Sequence, residues 1–503
     1  MPRGDPDTLE TFWEFARCFI ERLWPLGVEP DDVPNYTQWL ESCNYSGGRK
    51  RALFDLRRQL SILELHGRDA YHVCQSFIKH ETYPSYKAPR AINSLSDISK
   101  TIVGPLCKAI DTATFKSRFF VKGSNPKTWP ARLEELFGGV PVLGTDFTAF
   151  ESHHTGVFAK IVKYWMMHMV RRLPNAKLAK DMIHLLCDMR NVCKFKHITC
   201  EVDQRLMSGA MWTSSANGVL NLIINAFLAA QAVGTKTLKE QVRWAVEDFR
   251  GVFEGDDGLS VDYGQSPKLI ESLGLVLVLE RQPDYGEAGF CGIVCPRFNP
   301  QVAKDPQGVL ENFFWLAPRY ASWSRNKQLG LMRAKAMSYK YTFGDCPIIG
   351  ALCDWALYRT KSIAARWECV NSTWRCVSDE IESGFDHETK AKVRLASRTI
   401  VDSRFGISVD QQMSFEKAYE TSWDRDICRI PGTLGDARDE ARHRERYLAD
   451  PNRPFTRPTG TPEARRLLEL CRSVIEPHEI TDVMLNTRKQ LRRHVVEPEL
   501  DLY

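Results

Sequence analysis

The chain has 503 residues, 43% of them hydrophobic and 26% charged, which excludes collagen-like, low-complexity and wholly disordered chains. Lys and Arg number 68 against 63 Asp and Glu; the net charge of +5 permits a nucleic-acid partner without requiring one. The 15 cysteines show no framework spacing and point to free thiols in a reducing compartment.

Length alone suggests about three domains or lobes. The opening MPRGDPDTLE has no apolar core, so no signal peptide is expected. The stretch 218–234 carries Asn221, Asn225 and Gln231 and is too short and polar to span a bilayer.

In chain order, apolar spacing predicts helices over 9–24 and 51–66, separated by a Gly/Asn/Ser loop with a basic cluster at 46–51. Residues 77–92 are basic and Pro-containing and read as extended. VPVLGTD (140–146) reads as a short buried strand, 152–170 as a helix, and 192–202 as an alternating strand. A long buried helix is predicted over 214–232. Two short strands around a tight turn follow at 249–263, then a helix at 267–273 and a strand at 275–280. A further hairpin is expected over 289–304, turning at Asn299-Pro300. Beyond about 310 the pattern is mostly helical. Residues 430–465 read as a long loop or linker, with a last amphipathic helix near 463–475. No internal repeat is present.

Asp146 ends a predicted strand, and Asp256 and Asp257 sit in a predicted hairpin turn. Adjacent carboxylates repel unless a cation neutralises them, and hard divalent cations with oxygen ligands do so. Three converging carboxylates are what two-metal phosphoryl transfer requires. A good Asp-Gly hairpin turn would account for Asp257-Gly258 equally well.

The order of motifs adds to this. DFTAFE (146–151), MSGAMWTSSAN (207–217) and FEGDDGL (253–259) resemble motifs A, B and C of the RNA-dependent RNA polymerases of positive-strand RNA viruses. The likeness is nearest to tombusvirus-like and nodavirus-like enzymes and covers roughly 77–305. It implies an α+β right-hand fold, with a palm built on a three-stranded antiparallel sheet. It divides the chain into an N-terminal region and fingers (1–139), palm with motif A (140–170), a fingers insertion (171–205), palm with motifs B to E (206–309), a mainly helical thumb (310–429) and a C-terminal loop and tail (430–503). It also implies template-directed RNA synthesis from rNTPs. Asp146 and Asp256 would bind two Mg²⁺ ions, replaceable by Mn²⁺, with Asp257 as a weaker catalytic ligand.

In such enzymes the acid at the place of Glu151 helps to read the incoming ribose. The family commonly has Asp there; Glu151 is one methylene longer, and an acid in a helix's first turn is also favoured by the helix dipole. Ser208 and Gly209 give a flexible loop, and Thr213 and Asn217 share a helix face. The resemblance gives these four residues to the ribose and its motif A acid; a cap at Thr213 and a backbone bond at Asn217 are the plainer alternatives. FIKHETYPSYKAPRAI (77–92) resembles motif F, so Lys79, Lys87 and Arg90 would hold the triphosphate. Lys122 in FVKGS would lie near the template or nucleotide path, or on the surface. Arg281 is the nearest motif D cation, able to neutralise charge but a poor proton donor; Lys268 comes too early. FCGIVCP (290–296) fits motif E, with Cys291 and Cys295 expected as buried apolar groups on one face of a strand. His184, Cys187, Cys193, His197 and Cys200 have zinc-ligand chemistry without clean paired spacing, and structural zinc is not expected.

The expected partners are template and product RNA, rNTPs and other viral replication proteins, in host cytoplasm at membrane-associated complexes reached through a partner. Two rivals stand beside this reading: a reverse transcriptase, against which Asn217 argues, and a non-catalytic RNA-binding replication scaffold with a polymerase fold.

Overall fold

A computed structural model describes residues 4–43, 45–59, 73–79, 90–147, 149–188, 190–202, 206–313, 320, 322–367, 386, 389 and 393–421. Lys87, the 430–465 segment and the helix expected near 463–475 lie outside these residues. The described residues among Met1–His80, Pro89–Ser124 and Ala131–Arg297 form one compact unit; those among Asn125–Pro130 and Phe298–Tyr503 form a second.

The first unit begins with α1 (Pro6–Leu23), whose N-terminus is capped by the Asp5 carboxylate accepting from Thr8 N at 2.8 Å. Its apolar stripe, Phe12, Phe15 and Phe19, is fully buried, and Phe12 and Phe15 meet Phe227 at 5.2 and 5.3 Å between ring centres. Next come α2 (Tyr36–Ser42) and α3 (Gly47–Gln59). The expected loop at 46–51 is therefore mostly the first turn of α3. Strands β1 (Val73–Ile78) and β2 (Ala91–Leu95) pair antiparallel; residues 80–89 of the stretch expected to be extended lie outside the described residues.

Helix α4 (Asp97–Phe115) was not legible in the sequence, because Gly104-Pro105 sits in its middle. Tertiary packing overrides that break: a Cβ at Gly104 would lie 2.3 Å from the Trp39 ring, so the helix needs glycine to approach it. After α5 (Trp129–Phe137), β3 (Val142–Phe147) leads through a 3-10 turn at Phe150–His153 into α6 (Gly156–Met169) and then α7 (Ala176–Asp188). The single strand expected over 192–202 is two, β4 (Asn191–Lys194) and β5 (Thr199–Val202), paired antiparallel.

Helix α8 (Thr213–Ala232) is buried from Ser215 to Ala230, as an element apolar on all sides must be. α9 (Leu238–Glu247) follows, then β6 (Gly251–Glu254), β7 (Asp257–Val261), α10 (Pro267–Ser272) and β8 (Leu277–Gln282). The hairpin expected to turn at Asn299-Pro300 turns earlier. Its strands are β9 (Gly289–Phe290) and β10 (Ile293–Val294), and the turn residues Cys291 and Gly292 have φ of 52° and 68°. Two left-handed residues make a tight turn that follows the strand twist, and a cysteine there carries no sequence signal for it.

Two four-stranded sheets organise this unit: β2-β1-β4-β5, and β6-β7-β3-β8. The second is antiparallel throughout and has one strand more than the three expected, because β8 pairs along the whole of β3.

The second unit is helical: α11 (Pro306–Phe313), α12 (Arg325–Phe343), α13 (Ile349–Arg359) and the helices Leu395–Phe405 and Val409–Thr421. Lys340 of α12, buried, is neutralised by Asp354 of α13, and Arg398 grips Glu416 at 2.8 Å. Among the described residues no helix is long and apolar enough to cross a membrane.

Candidate active site

Backbone register brings the acids together. Glu254 pairs with Asp257 across the β6–β7 hairpin, leaving Gly255-Asp256 as a two-residue turn. Gly255 has φ 61°, which is why the turn is Gly-Asp and not the Asp257-Gly258 pair expected. On the other side β7 pairs with β3, with Thr145 opposite Gly258. The next step along that register sets Asp146 beside Asp257. All three aspartates lie at one end of the sheet and reach solvent.

The turn is held from beneath. Asn221 of α8 donates through Nδ2 to the Asp256 carbonyl at 2.9 Å and the Gly255 carbonyl at 3.3 Å, and Asn225 in turn donates to Asn221 Oδ1 at 2.7 Å. These amides are one helical turn apart on one face, so a buried helix presents a polar rail to the acidic turn. In sequence the same residues were only polar interruptions of an apolar helix.

Crowding shows in the electrostatics. Asp257 has its carboxyl pushed up to about 6, first by partial loss of water and then by Asp256, Asp146 and Glu254; the Cys291 thiol works in the opposite direction. By surface area Asp257 is exposed, so the dehydration is local, on the side facing protein. Cys291 is thus not the strand-face apolar group expected but a turn residue beside the acids, its thiol pushed well up by burial. Cys295 is buried as expected.

Lys122 brings a positive charge to the acidic hairpin. Its ammonium pairs with Glu254 and donates to Ser214 Oγ at 3.2 Å. The backbone places it there: Val121 N donates to Phe253 O, and Phe253 N to Phe119 O at 2.8 Å, so 119–121 runs along β6. Glu254 Oε2 is buried without a partner among the described residues. Hard carboxylate oxygens relieved by a cation suit a divalent metal ion better than a zinc-type site. Among the described residues, no three His, Cys, Asp or Glu side chains stand at metal-holding spacing.

The segment 207–217 rests on the other sheet. Asn93 N of β2 donates to Ser208 O at 2.6 Å. Gly209 has φ 103°, and a Cβ there would meet Ile92 Cγ2 at 2.9 Å and Asn93 O at 3.1 Å, so both backbone angle and close approach require glycine. Thr213 Oγ1 donates to the carbonyls of Met207 and Ala210 at 2.9 Å, folding the loop back on the helix start. Asn217 is buried. Glu151 stands half-buried in the 3-10 turn entered through Ala149, whose φ is 50°. Lys79 N donates to Arg90 O at 2.8 Å, so these two exposed residues stand side by side past the end of the β1–β2 pair.

Arg281 pairs with Asp262 and donates to Gln265 O at 2.9 Å, opposite Leu143 in the register and away from Asp146. Of the cysteine–histidine set, His184 bonds Asp188 at 2.9 Å, Cys187 meets Met166, and Cys193 meets Met207. Sequence reading passed over Asp111 of α4, whose Oδ1 is buried without a partner and whose carboxyl burial pushes up to about 6, the Ser215 hydroxyl partly relieving it.

Residues 97–275, from α4 through the acidic hairpin to the approach to β8, match the family model for viral RNA-dependent RNA polymerase. No curated protein matches the chain.

Proposed function

We propose, starting from the viral RNA-dependent RNA polymerase family that residues 97–275 match, that this RNA-directed RNA polymerase copies an RNA template from rNTPs in the replication and transcription of a positive-strand RNA genome. The observation that carries the reading is the meeting of Asp146 with Asp256 and Asp257 at one sheet end, from strands more than a hundred residues apart in sequence.

Asp146 and Asp256 would hold two divalent ions, Mg²⁺ with Mn²⁺ as substitute, and Asp257 would stand beside them. When bound, such ions activate the primer 3′-hydroxyl and stabilise the leaving pyrophosphate. The chain's own residues do the rest. Asn221 fixes the turn that carries Asp256. Glu151 and Asn217 read the ribose through its 2′-hydroxyl, with Ser208, Gly209 and Thr213 shaping the loop beside them. Lys79 and Arg90, with Lys87, draw in the triphosphate.

The sheet β6-β7-β3-β8 with α6 and α8 corresponds to a palm, the sheet β2-β1-β4-β5 to fingers, and the helices after about 310 to a thumb. The tombusvirus-like or nodavirus-like branch is supported by the FVKGS segment lying along motif C. RNA binding through phosphates should weaken steeply with salt. The cellular setting that fits is host cytoplasm, at membrane complexes reached through another viral protein.

The test is synthesis on a primed RNA template with rNTPs, or dNTPs, and Mg²⁺ or Mn²⁺. Template-dependent RNA from the wild type, reduced more than about 10³-fold in Asp256→Ala, corresponds to about 4 kcal/mol of transition-state stabilisation and supports the reading. Product surviving that change overturns the assignment of the site. Preferential use of dNTPs would make the enzyme a reverse transcriptase. RNA binding without synthesis under either ion would favour the scaffold.

A further inference from the structure

The polar side chains along α8 are nearly all engaged. Ser214 meets Lys122 and Glu254, Ser215 donates to Trp212 O at 3.1 Å, and Asn221 and Asn225 hold the acidic turn and each other. Among the buried ones, Asn217 stands out. It is 4% exposed, and its Oδ1 has no hydrogen-bond partner among the described residues. His154, three residues after Glu151, is 1% exposed, and among the described residues neither of its ring nitrogens makes a hydrogen bond of full geometry. The two face each other closely enough for Asn217 to favour a proton on His154. Phe150 packs against the imidazole in a T-shaped contact at 5.2 Å between ring centres, and its neighbour His153 is turned elsewhere, accepting from Val276 N at 3.1 Å.

We propose that His154 is a positioning residue for ribose selection, acting by fixing which way the Asn217 amide points. The inference rests on the reading of Glu151 and Asn217 as the ribose-reading pair.

Burial pushes His154 down to about 3, so at neutral pH the ring is uncharged and has one N–H and one lone pair. A buried polar group left unpaired destabilises the fold, because it gives up water and gains no partner. An orphan donor on the ring and an orphan acceptor on the amide are complementary, and joining them relieves both. The consequence falls on the other half of the amide. With Oδ1 held by the His154 N–H, the Nδ2 hydrogens are the groups left to face substrate. A ribose 2′-hydroxyl can then donate to the Glu151 carboxylate and accept from Asn217 Nδ2. The opposite amide orientation would set two acceptors, Glu151 and Oδ1, against one hydroxyl hydrogen. A deoxyribose offers neither bond, so the amide's orientation controls the preference for ribose.

The experiment measures single-nucleotide incorporation of matched rNTP and dNTP by the full chain, reading kcat and KM separately. The variants are His154→Phe, His154→Gln, Asn217→Ala and the double variant His154→Phe/Asn217→Ala, with thermal unfolding in parallel. Loss of the ring N–H in His154→Phe is expected to lower the rNTP-over-dNTP ratio of kcat/KM about tenfold, mainly by raising KM for the rNTP. His154→Gln, which keeps an N–H donor, should hold the ratio within about twofold of wild type. The double variant should match Asn217→Ala, because His154 acts through that amide. Equal falls with rNTP and dNTP in His154→Phe, the ratio unchanged, would make His154 a packing residue only and overturn the proposal. If Asn217→Ala also leaves the ratio unchanged, the ribose-reading role of Asn217 fails as well, which separates the two failures. Should His154→Phe not fold, His154→Met, flexible and also without a donor, carries the same expected and overturning outcomes.

Discussion

The two four-stranded sheets of the first unit have equal strand counts and opposite characters at their working ends. In β6-β7-β3-β8 every pairing is antiparallel, and one end gathers Asp146, Asp256, Asp257 and Glu254. In β2-β1-β4-β5 the central pairing is parallel, joining Val73 to Val192 across more than a hundred residues. Its cysteines face inward, its strand ends carry Lys79 and Arg90, and β2 clamps the Ser208-Gly209 loop by a backbone bond. The first sheet crowds like charges at a cost in stability that folding alone does not explain. The second satisfies its backbone and buries Cys74, Leu95 and Cys193. The lesson is that removing a group from the first should help the fold and harm the chemistry, whereas disturbing the second should harm the fold.

The sharpest test of that contrast is Asp257→Asn. It should lower RNA synthesis by roughly 10–10²-fold, or about 1.4–2.7 kcal/mol. At pH 7.5 it should raise the thermal midpoint. The sign follows from the raised carboxyl: full stability is present below the unfolded value near 3.8 and is lost as pH rises through about 6. The gain in midpoint should therefore vanish below about pH 4. A lower midpoint at pH 7.5 would break the comparison.

On the other sheet, Gly209→Ala should cost about 1–3 kcal/mol in urea unfolding, because the left-handed backbone and the contacts with Ile92 and Asn93 both resist a Cβ. No loss would mean that the loop is not clamped by β2. Smaller again is the Lys122–Glu254 pair. Its side chains are 36% and 23% exposed, so solvent screening limits the coupling in a Lys122→Met/Glu254→Gln double-mutant cycle to about 1 kcal/mol. The smallest effect is expected where zinc chemistry was a candidate. His197→Ala and Cys200→Ser should each shift stability by no more than about 0.5 kcal/mol, and a chelator should leave the unfolding midpoint unchanged. A chelator-dependent fall would install a structural metal in the sheet β2-β1-β4-β5.

Several elements were readable because their signals are local. The buried helix over 214–232 and the strands around Glu254 follow from apolar runs and a glycine turn within a few residues. The order of acids, glycine loop and polar helix face was equally plain. Other elements were hidden by the same logic. Gly104-Pro105 reads as a break, and only the closeness of Trp39 shows why a helix runs through it. Cys291 reads as a strand residue, and only the pairing of β9 with β10 puts it in a left-handed turn beside Asp257.

By itself, then, the sequence determined the identity and order of the reactive side chains and the periodicity of the elements that carry them, because dihedral preference and amphipathic spacing act over a few residues. Tertiary structure alone decided that Asn221 holds the acidic turn, that Lys122 answers Glu254, that Arg281 is spent on Asp262, and that His154 faces Asn217. Those pairings join residues from 19 to 132 positions apart. They are selected by burial and by the need to satisfy polar groups away from water, and neither demand leaves a periodic mark in the chain.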